Sequence, residues 1–245
     1  MGFLRRTLAR VGIGNATVDT QLAQVSVRLG EQVEGKVVVR GDQAPQAIEH
    51  IELFVLAGNS DQVNMHEVQR ARVCGPLEIA PGEERVLPFE FVLSYHTPLS
   101  LRGTRVGVQT GVSVRLAVDL NDHDLLEVQP SAPVQTLLDA AELLGLRLSR
   151  SYVDYAPARR RPAQQLEFLA PDTYGVKEVE LLLSVEPDRI DVTLEVDRRA
   201  QGLVSLITTE TEARTHFSLA GALLDSGVDA VARELDRFIR ERPTS

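Results

Sequence analysis

The sequence predicts a mostly β-strand protein of two antiparallel sandwich domains, with one short helix opening the second half and an amphipathic helix near the end. Three observations predict it. Apolar residues alternate with polar ones over most of the first half, turn signals recur about every ten residues, and helical spacing is confined to two segments. The length of 245 residues is sufficient for two domains.

Four segments of the first half show the alternation most clearly. In the longest, Val106 to Leu120, every even position is apolar or Thr, and odd positions include Gln109 and Ser113. Successive side chains of a strand point to opposite faces, so this pattern predicts one buried face and one face in water. The other three segments are residues 33–39, 51–55 and 87–93.

The alternation changes parity near Ala23 and Gln24. Apolar residues occupy even positions up to Leu22 and odd positions from Val25. One extra residue in a strand has this effect, so we expect a β-bulge or bend there.

The second half begins after the polar run Asn121–Asp124, which predicts an inter-domain turn. Apolar residues then follow helical spacing from Val134 to Leu144, with Ser131 available as a cap and Gly145 placed to end the helix. Strands return at residues 166–170, 179–185 and 190–196, and the last two flank a turn at residues 186–189.

The C-terminal helix is predicted from an apolar stripe over residues 228–239. Ser226 and Asp229 before it resemble a capping box. The predicted organisation is an N-terminal short helix or extension at 1–14, sandwich domains at 15–124 and 125–225, and a C-terminal helix at 226–243.

Composition excludes several functional classes. A formal net charge of −9 argues against a nucleic-acid binder. The single cysteine, Cys74, cannot form an intrachain disulfide, which favours a reducing compartment. Apolar runs are too short to cross a bilayer, and the N-terminus lacks a continuous apolar signal region. We therefore expect a cytoplasmic protein.

No motif predicts catalysis, a cofactor or a metal. Gly12 and Gly14 lack the third glycine and the following helix of a dinucleotide site. His66 and Glu67 have Arg70 where a zinc-protease motif needs its second histidine, and suit a surface strand. Cys74 is expected to act as a small buried hydrophobe rather than a nucleophile.

The acidic run Asp119–Asp124 is the one candidate for a metal site in the sequence. Its oxygens could hold Ca²⁺ or Mg²⁺, and its spacing begins like an EF-hand loop. The sequence then departs from the EF-hand loop at His123 and Asp124, and Pro130 occupies the twelfth position, where the loop has Glu. A solvated turn is favoured, and cation binding stays the alternative.

Two groups of arginines are candidate interaction residues. Arg159, Arg160 and Arg161 predict an exposed basic loop that could attract an acidic patch or a phosphate. Arg5 and Arg6, in the basic N-terminal segment, could rest weakly on an anionic membrane. Docking of that segment onto its own domain is the favoured alternative.

Five segments carry a family resemblance: Gly2–Thr20, Val27–Val55, Pro81–Ser100, Val134–Leu148 and Glu195–Arg199. They resemble the bacterial sporulation-control proteins of the stage-zero M type, with Leu29 as a departure where the family usually has Pro. The resemblance implies two tandem arrestin-like β-sandwich domains and a regulator without catalytic residues.

These observations together predict a non-enzymatic, arrestin-like regulatory or scaffold protein of the bacterial cytoplasm that binds protein partners. A peripheral membrane adapter using the basic N-terminal segment is the alternative. A homodimer through an open sheet edge or the 228–239 stripe also stays open.

Overall fold

The computed structural model describes residues 11–13, 16–61, 65–114, 117–156, 161–197 and 213–241, with backbone alone at 11–13, 114, 117–123, 156, 197 and 213. These residues form sixteen strands, three α-helices and one 3₁₀ turn, which confirms the mostly-β prediction. The chain divides into two compact units. Unit 1 comprises residues 1–58, 62–100 and 105–129, and unit 2 comprises 59–61, 101–104 and 130–245.

Unit 1 is built from two antiparallel sheets and a two-stranded parallel pair. The sheets have strand orders β1-β2-β4-β8 and β10-β9-β5-β6, with β7 beside β5, and the pair is β11-β3. The strands are β1 (Val11–Ile13), β2 (Ala16–Leu22), β3 (Ser26–Arg28), β4 (Gln32–Gly41), β5 (Gln46–Asn59), β6 (His66–Cys74), β7 (Leu77–Ile79), β8 (Glu84–Val92), β9 (Thr104–Val114), β10 (Ala117–Leu125) and β11 (Glu127–Gln129).

The core of unit 1 lies between the two sheets. The hydroxyls of Thr20 on β2 and Thr110 on β9 are 2.6 Å apart, which shows which face of each strand points inward. Gln69 on β6 donates to the Val92 carbonyl at 2.8 Å and so joins the sheets at one edge. The predicted inner positions of β4 and β5 are at most 1% exposed; they are Val33, Val37, Val39, Ile51, Leu53 and Val55.

The predicted long strand from Val106 to Leu120 is two strands. β9 ends at Val114, and β10 begins at Ala117 and pairs antiparallel with it. Gln109 and Ser113, predicted on a wet face, are buried, and the Ser113 hydroxyl donates to Glu49 Oε2 at 3.1 Å. The prediction failed because a strand inside a sheet can be covered on both faces.

The parity change near Ala23 has a different cause from the predicted bulge. β2 ends at Leu22 in one sheet, and β3 pairs in parallel with β11 in another. When the chain leaves one sheet and joins another, the buried residues of the new strand can occupy either even or odd positions. The predicted inter-domain turn at Asp119–Asp124 is also wrong, because these residues belong to β10.

Unit 2 contains one five-stranded antiparallel sheet of order β12-β13-β14-β15-β16 with three helices. The sequence predicts two sheets packed face to face in this half, whereas the described residues of unit 2 form one sheet and three helices. The elements are α1 (Ala132–Leu143), β12 (Arg147–Ala156), β13 (Arg161–Leu169), a 3₁₀ turn (Asp172–Tyr174), β14 (Glu178–Glu186), β15 (Arg189–Asp197), β16 (Ala213–Ala220), α2 (Gly221–Asp225) and α3 (Val228–Arg240).

Both predicted helices are present and pack against each other. The predicted capping box is wrong, because α3 starts after Gly227 at φ 87° and the Ser226 hydroxyl donates to the Ala222 carbonyl. The ring of Phe217 on β16 stacks on the ring of Phe238 on α3, with the two ring centroids 4.0 Å apart, which places α3 on one face of the sheet. The helix–helix core is at most 4% exposed and consists of Val134, Leu137, Ala140, Ala141, Val231, Ala232, Leu235 and Ile239.

The predicted hairpin at residues 179–196 is confirmed. β14 and β15 pair from Glu178 with Asp197 to Glu186 with Arg189, around a turn at Pro187 and Asp188. Proline sets the backbone torsion that such a turn needs.

Candidate interaction surface

The sheet of unit 2 has one apolar face and one polar face. Val192 of β15 lies opposite Phe217, which stacks on α3, so the apolar residues of this parity face the helices. Residues of the other parity, such as Asp191 and Glu195, therefore project from the polar face.

A row of five charged residues crosses the polar face. Each strand contributes one residue, and the β-pairing places each directly opposite the next. In strand order the residues are Arg150, Glu167, Glu180, Glu195 and Arg214. We name the three central carboxylates the glutamate row. Neighbouring strands lie about 4.8 Å apart, and like charges directly opposite each other destabilise a sheet.

Each carboxylate of the glutamate row has a local partner. The Ser149 hydroxyl donates to Glu167 Oε1 at 2.8 Å. Arg214 Nε donates to Glu195 Oε1 at 2.6 Å, and Glu195 retains 18% of its side-chain exposure.

The central carboxylate, Glu180, accepts a hydrogen bond from one neutral side-chain donor. Gln165 Nε2 donates to its Oε2. Arg150, at one end of the charged row, has Nη2 3.3 Å from Asp61 Oδ2. The row thus carries three carboxylates, and one of its two flanking guanidinium groups also faces a fourth carboxylate.

Tyr152 reports the electrostatic character of this face. Burial raises the pKa of its phenol to about 12, and the negative charges of Glu180, Glu167 and Glu195 add to that shift. The three glutamates raise this pKa because they repel a phenolate, whereas burial disfavours a charge of either sign. The polar face therefore offers negative potential and hydrogen-bond acceptors, which suit arginine and lysine side chains.

The described residues show no metal-binding group. Among them, no cluster of three or more His, Cys, Asp or Glu side chains is arranged to hold an ion. The side chains of Asp119 to His123 lie outside the described residues, so cation binding at that run remains a hypothesis.

One of the five sequence-predicted arginines lies in the described part of the chain. Arg161 is the first residue of β13, and its Nη2 donates to the Ser184 hydroxyl at 2.8 Å. It therefore belongs to a strand rather than to an exposed loop, and its parity places it on the polar face. Arg159, Arg160, Arg5 and Arg6 lie outside the described residues.

The other residues weighed for chemistry occupy structural positions. His66 and Glu67 lie in β6, a surface strand as predicted, and Glu67 forms an ion pair with Arg70 at 3.0 Å. Cys74 is half-buried, and burial raises the pKa of its thiol. A raised thiol pKa disfavours the reactive thiolate.

The outer edge of β12 is covered within unit 2 by residues distant in sequence. The Ser151 N–H donates to the Arg102 carbonyl at 2.7 Å. The side-chain amide of Asn59 makes two bonds to Val153, accepting from its N–H at 2.7 Å and donating to its carbonyl at 3.0 Å. Such cover prevents a strand edge from pairing with another chain.

The opposite edge is β16, which is last in the sheet order among the described strands. A homodimer through an open edge stays a prediction. Among the described residues, no helix is long and apolar enough to cross a membrane.

Comparisons with known proteins agree with one another. The SpoOM protein family profile matches residues 4–200. The sporulation-control protein Spo0M of Bacillus subtilis (strain 168) is 34% identical over 215 residues, which cover 83% of each chain. The crystal structure of Spo0M from Bacillus subtilis matches with a TM-score of 0.76 and 27% identity, over 94% of this chain and 99% of that one.

Proposed function

We propose, from the premise that this chain belongs to the SpoOM protein family, that it is a regulatory protein of sporulation control that acts by binding protein partners, without catalysis. The regulatory role is supported by the Bacillus relative, whose name describes sporulation control. Binding as the mode of action is supported by the polar face of unit 2.

The glutamate row is the observation that carries the proposal. Like charges directly opposite each other on neighbouring strands reduce sheet stability. Departures from local sequence–structure rules are expected most often at functional or strained positions. We therefore propose that the row binds a partner protein through a segment rich in arginine or lysine.

Neutral variants test the row while preserving its shape. The triple variant Glu167→Gln, Glu180→Gln and Glu195→Gln keeps side-chain size and removes three charges. Glu142→Gln, on the exposed side of α1, is the matched control for a lost carboxylate. Crosslinking in lysate of sporulating host cells, followed by mass spectrometry, compares the partners that each purified chain captures.

The triple variant should lose a basic partner that the wild type and Glu142→Gln both capture. The captured partner should also dissociate with added salt, because exposed charge pairs are screened. Circular dichroism and thermal unfolding verify that the triple variant is folded. Capture of the same partners by all three chains would disprove the role of the glutamate row.

A further inference from the structure

The edge of unit 2 formed by β16 is regular along its whole length. Its register with β15 runs without irregularity from Val196 with Ala213 to Arg189 with Ala220, and β16 contains no proline. Natural sheets protect an edge by a short strand, a bulge, a proline or a covering segment. An edge that lacks these features can accept a strand from another chain.

The other edges among the described strands have such protection. The strands β1, β3, β7 and β11 have three residues each, and β6 and β10 have register irregularities. On β8, the Leu93 N–H donates to the Glu31 carbonyl beside β4, so residues an odd number of positions away, including Pro88, direct their backbone groups outward. Gln69 occupies the Val92 carbonyl at the same edge, and the edge of β12 is covered.

The β14–β15 hairpin determines which backbone groups of β16 point outward. Its two-residue turn makes the closing pair at Arg189 a hydrogen-bonded pair, and alternate residues of β15 then bond to alternate neighbours. Val192, three residues later, therefore bonds to β16, where its partner is Phe217. His216 and Ser218, on either side of Phe217, direct their N–H and C=O groups to the outer edge. Both residues are exposed.

The side chains of these two exposed residues are complementary to each other. His216 Nδ1 lies 2.9 Å from Thr193 Oγ1. With the Thr193 hydroxyl donating to Nδ1, His216 Nε2 carries the ring proton and can donate it. The Ser218 hydroxyl donates to Asp191 Oδ1 at 2.5 Å, so its oxygen can accept a further hydrogen bond.

The apolar stripe of α3 does not offer a competing surface for association. Val231, Leu235 and Ile239 are fully buried within unit 2, where α3 packs on α1. Of the two dimer surfaces that the sequence suggests, the strand edge is therefore the one that the structure leaves accessible.

We propose that β16 pairs antiparallel with β16 of a second copy of this chain, with His216 of each copy opposite the partner's Ser218. The two-fold axis then passes beside Phe217, and the two sheets join into one. The two central pairs exchange about four backbone hydrogen bonds. His216 Nε2 donates to the partner's Ser218 hydroxyl, which donates in turn to its own Asp191. The inference concerns β16 and does not depend on the glutamate row.

The choice of register follows from the side chains on the polar face. A shift that places His216 opposite its own copy loses both imidazole–hydroxyl bonds. In the proposed register Arg214 lies opposite the partner's Ala220, so no like charges are directly opposite across the new contact. A second copy thus provides the donor and the acceptor that this edge needs.

Sedimentation equilibrium of the full chain tests the dimer. The wild type should change from monomer to dimer between about 1 and 200 µM, because a contact through one strand edge is at the small end of interface sizes. Ser218→Pro removes an outward N–H and no bond to β15, and should weaken dimerisation at least about ten-fold. Val86→Pro, at an exposed outward position of β8, is the matched control and should dimerise as the wild type does.

Cysteine crosslinking tests the register and does not depend on the folding of the proline variant. In a Cys74→Ser background, an equal mixture of His216→Cys and Ser218→Cys chains should form the mixed disulfide at least about ten times faster than either chain crosslinks with itself. The reason is that opposite hydrogen-bonded residues have Cα atoms about 5.5 Å apart, which a disulfide can span.

Three results would each overturn the proposal. They are a wild type that stays monomeric over the whole concentration range, equal dimerisation of folded Ser218→Pro and the wild type, and a mixture that crosslinks no faster than the single chains. Circular dichroism verifies the fold of each variant, and the crosslinking rates decide if Ser218→Pro is unfolded.

Discussion

Asn59 covers the edge of β12, so we expect the substitution Asn59→Ala to lower the free energy of unfolding substantially. Asn59→Ala removes the amide that accepts from the Val153 N–H at 2.7 Å and donates to its carbonyl at 3.0 Å. Both bonds are buried, and Asn59 is 9% exposed. Each bond contributes about 1 kcal/mol net, and each buried backbone group left unpaired costs about 1–3 kcal/mol. Partial hydration lowers the sum, so we expect a loss of about 2–4 kcal/mol.

Urea denaturation followed by tyrosine fluorescence measures this loss. The chain has no tryptophan, and Tyr152, Tyr155 and Tyr174 belong to unit 2, whereas Tyr95 belongs to unit 1. The signal therefore reports mainly on the unit that contains the Asn59 bonds. With an m-value of about 2 kcal/mol/M, the midpoint should decrease by about 1–2 M.

Two comparisons make the Asn59 result specific. Gln135→Ala, on α1 of the same unit, removes an exposed amide that donates to Asp139 Oδ1, and should change stability by less than about 0.5 kcal/mol. Hydrogen exchange at the Val153 amide should accelerate in Asn59→Ala alone. If Asn59→Ala has the midpoint of Gln135→Ala and the Val153 amide exchanges at the wild-type rate, the edge-cover reasoning is wrong.

Two further predictions concern unit 2. The pKa values of Tyr152 and Tyr174 are raised to about 12, first by burial, so their contribution to stability is complete below the unfolded value of about 10 and is lost as pH rises from 10 to 12. The urea midpoint of Tyr152→Phe, Tyr174→Phe, followed by far-UV circular dichroism, should depend less on pH in that range than the wild-type midpoint, and an unchanged slope would contradict this. Gly103→Ala should destabilise more than Gly175→Ala by at least about 2 kcal/mol in the same urea assay, because the added Cβ would lie 2.3 Å from the Ser151 carbonyl oxygen, whereas Gly175 faces open space. Both glycines have positive φ, 101° and 65°, so equal losses would show that backbone strain alone decides the effect.

Local patterns in the sequence predicted most elements but not their partners. The Ile190–Val196 alternation predicted the β14–β15 hairpin correctly, because a tight turn lets neighbouring strands pair without distant information. The apolar stripe over residues 228–239 predicted α3 but not the contact of Phe238 with Phe217. The parity change at Ala23 was visible in the sequence, yet its cause, the pairing of β3 with β11, depends on residues 101 positions away.

The candidate surface shows the same limit. Glu195 was predicted to face outward from its own strand, and the sequence contains no sign that Glu167 and Glu180 stand beside it. Strand register brings the three together, and register is set by the packing of whole faces. Arg161 was predicted in an exposed basic loop with Arg159 and Arg160, whereas it is the first residue of β13.

The sequence by itself determined the mostly-β class, the two predicted helices and the family, because periodicity and motif similarity are local properties of the chain. The tertiary structure alone decided which charges meet on the polar face and that Asn59 covers the edge of β12. Those features arise from residues far apart in sequence, and hydrogen-bond geometry and burial exist only once the strands have paired.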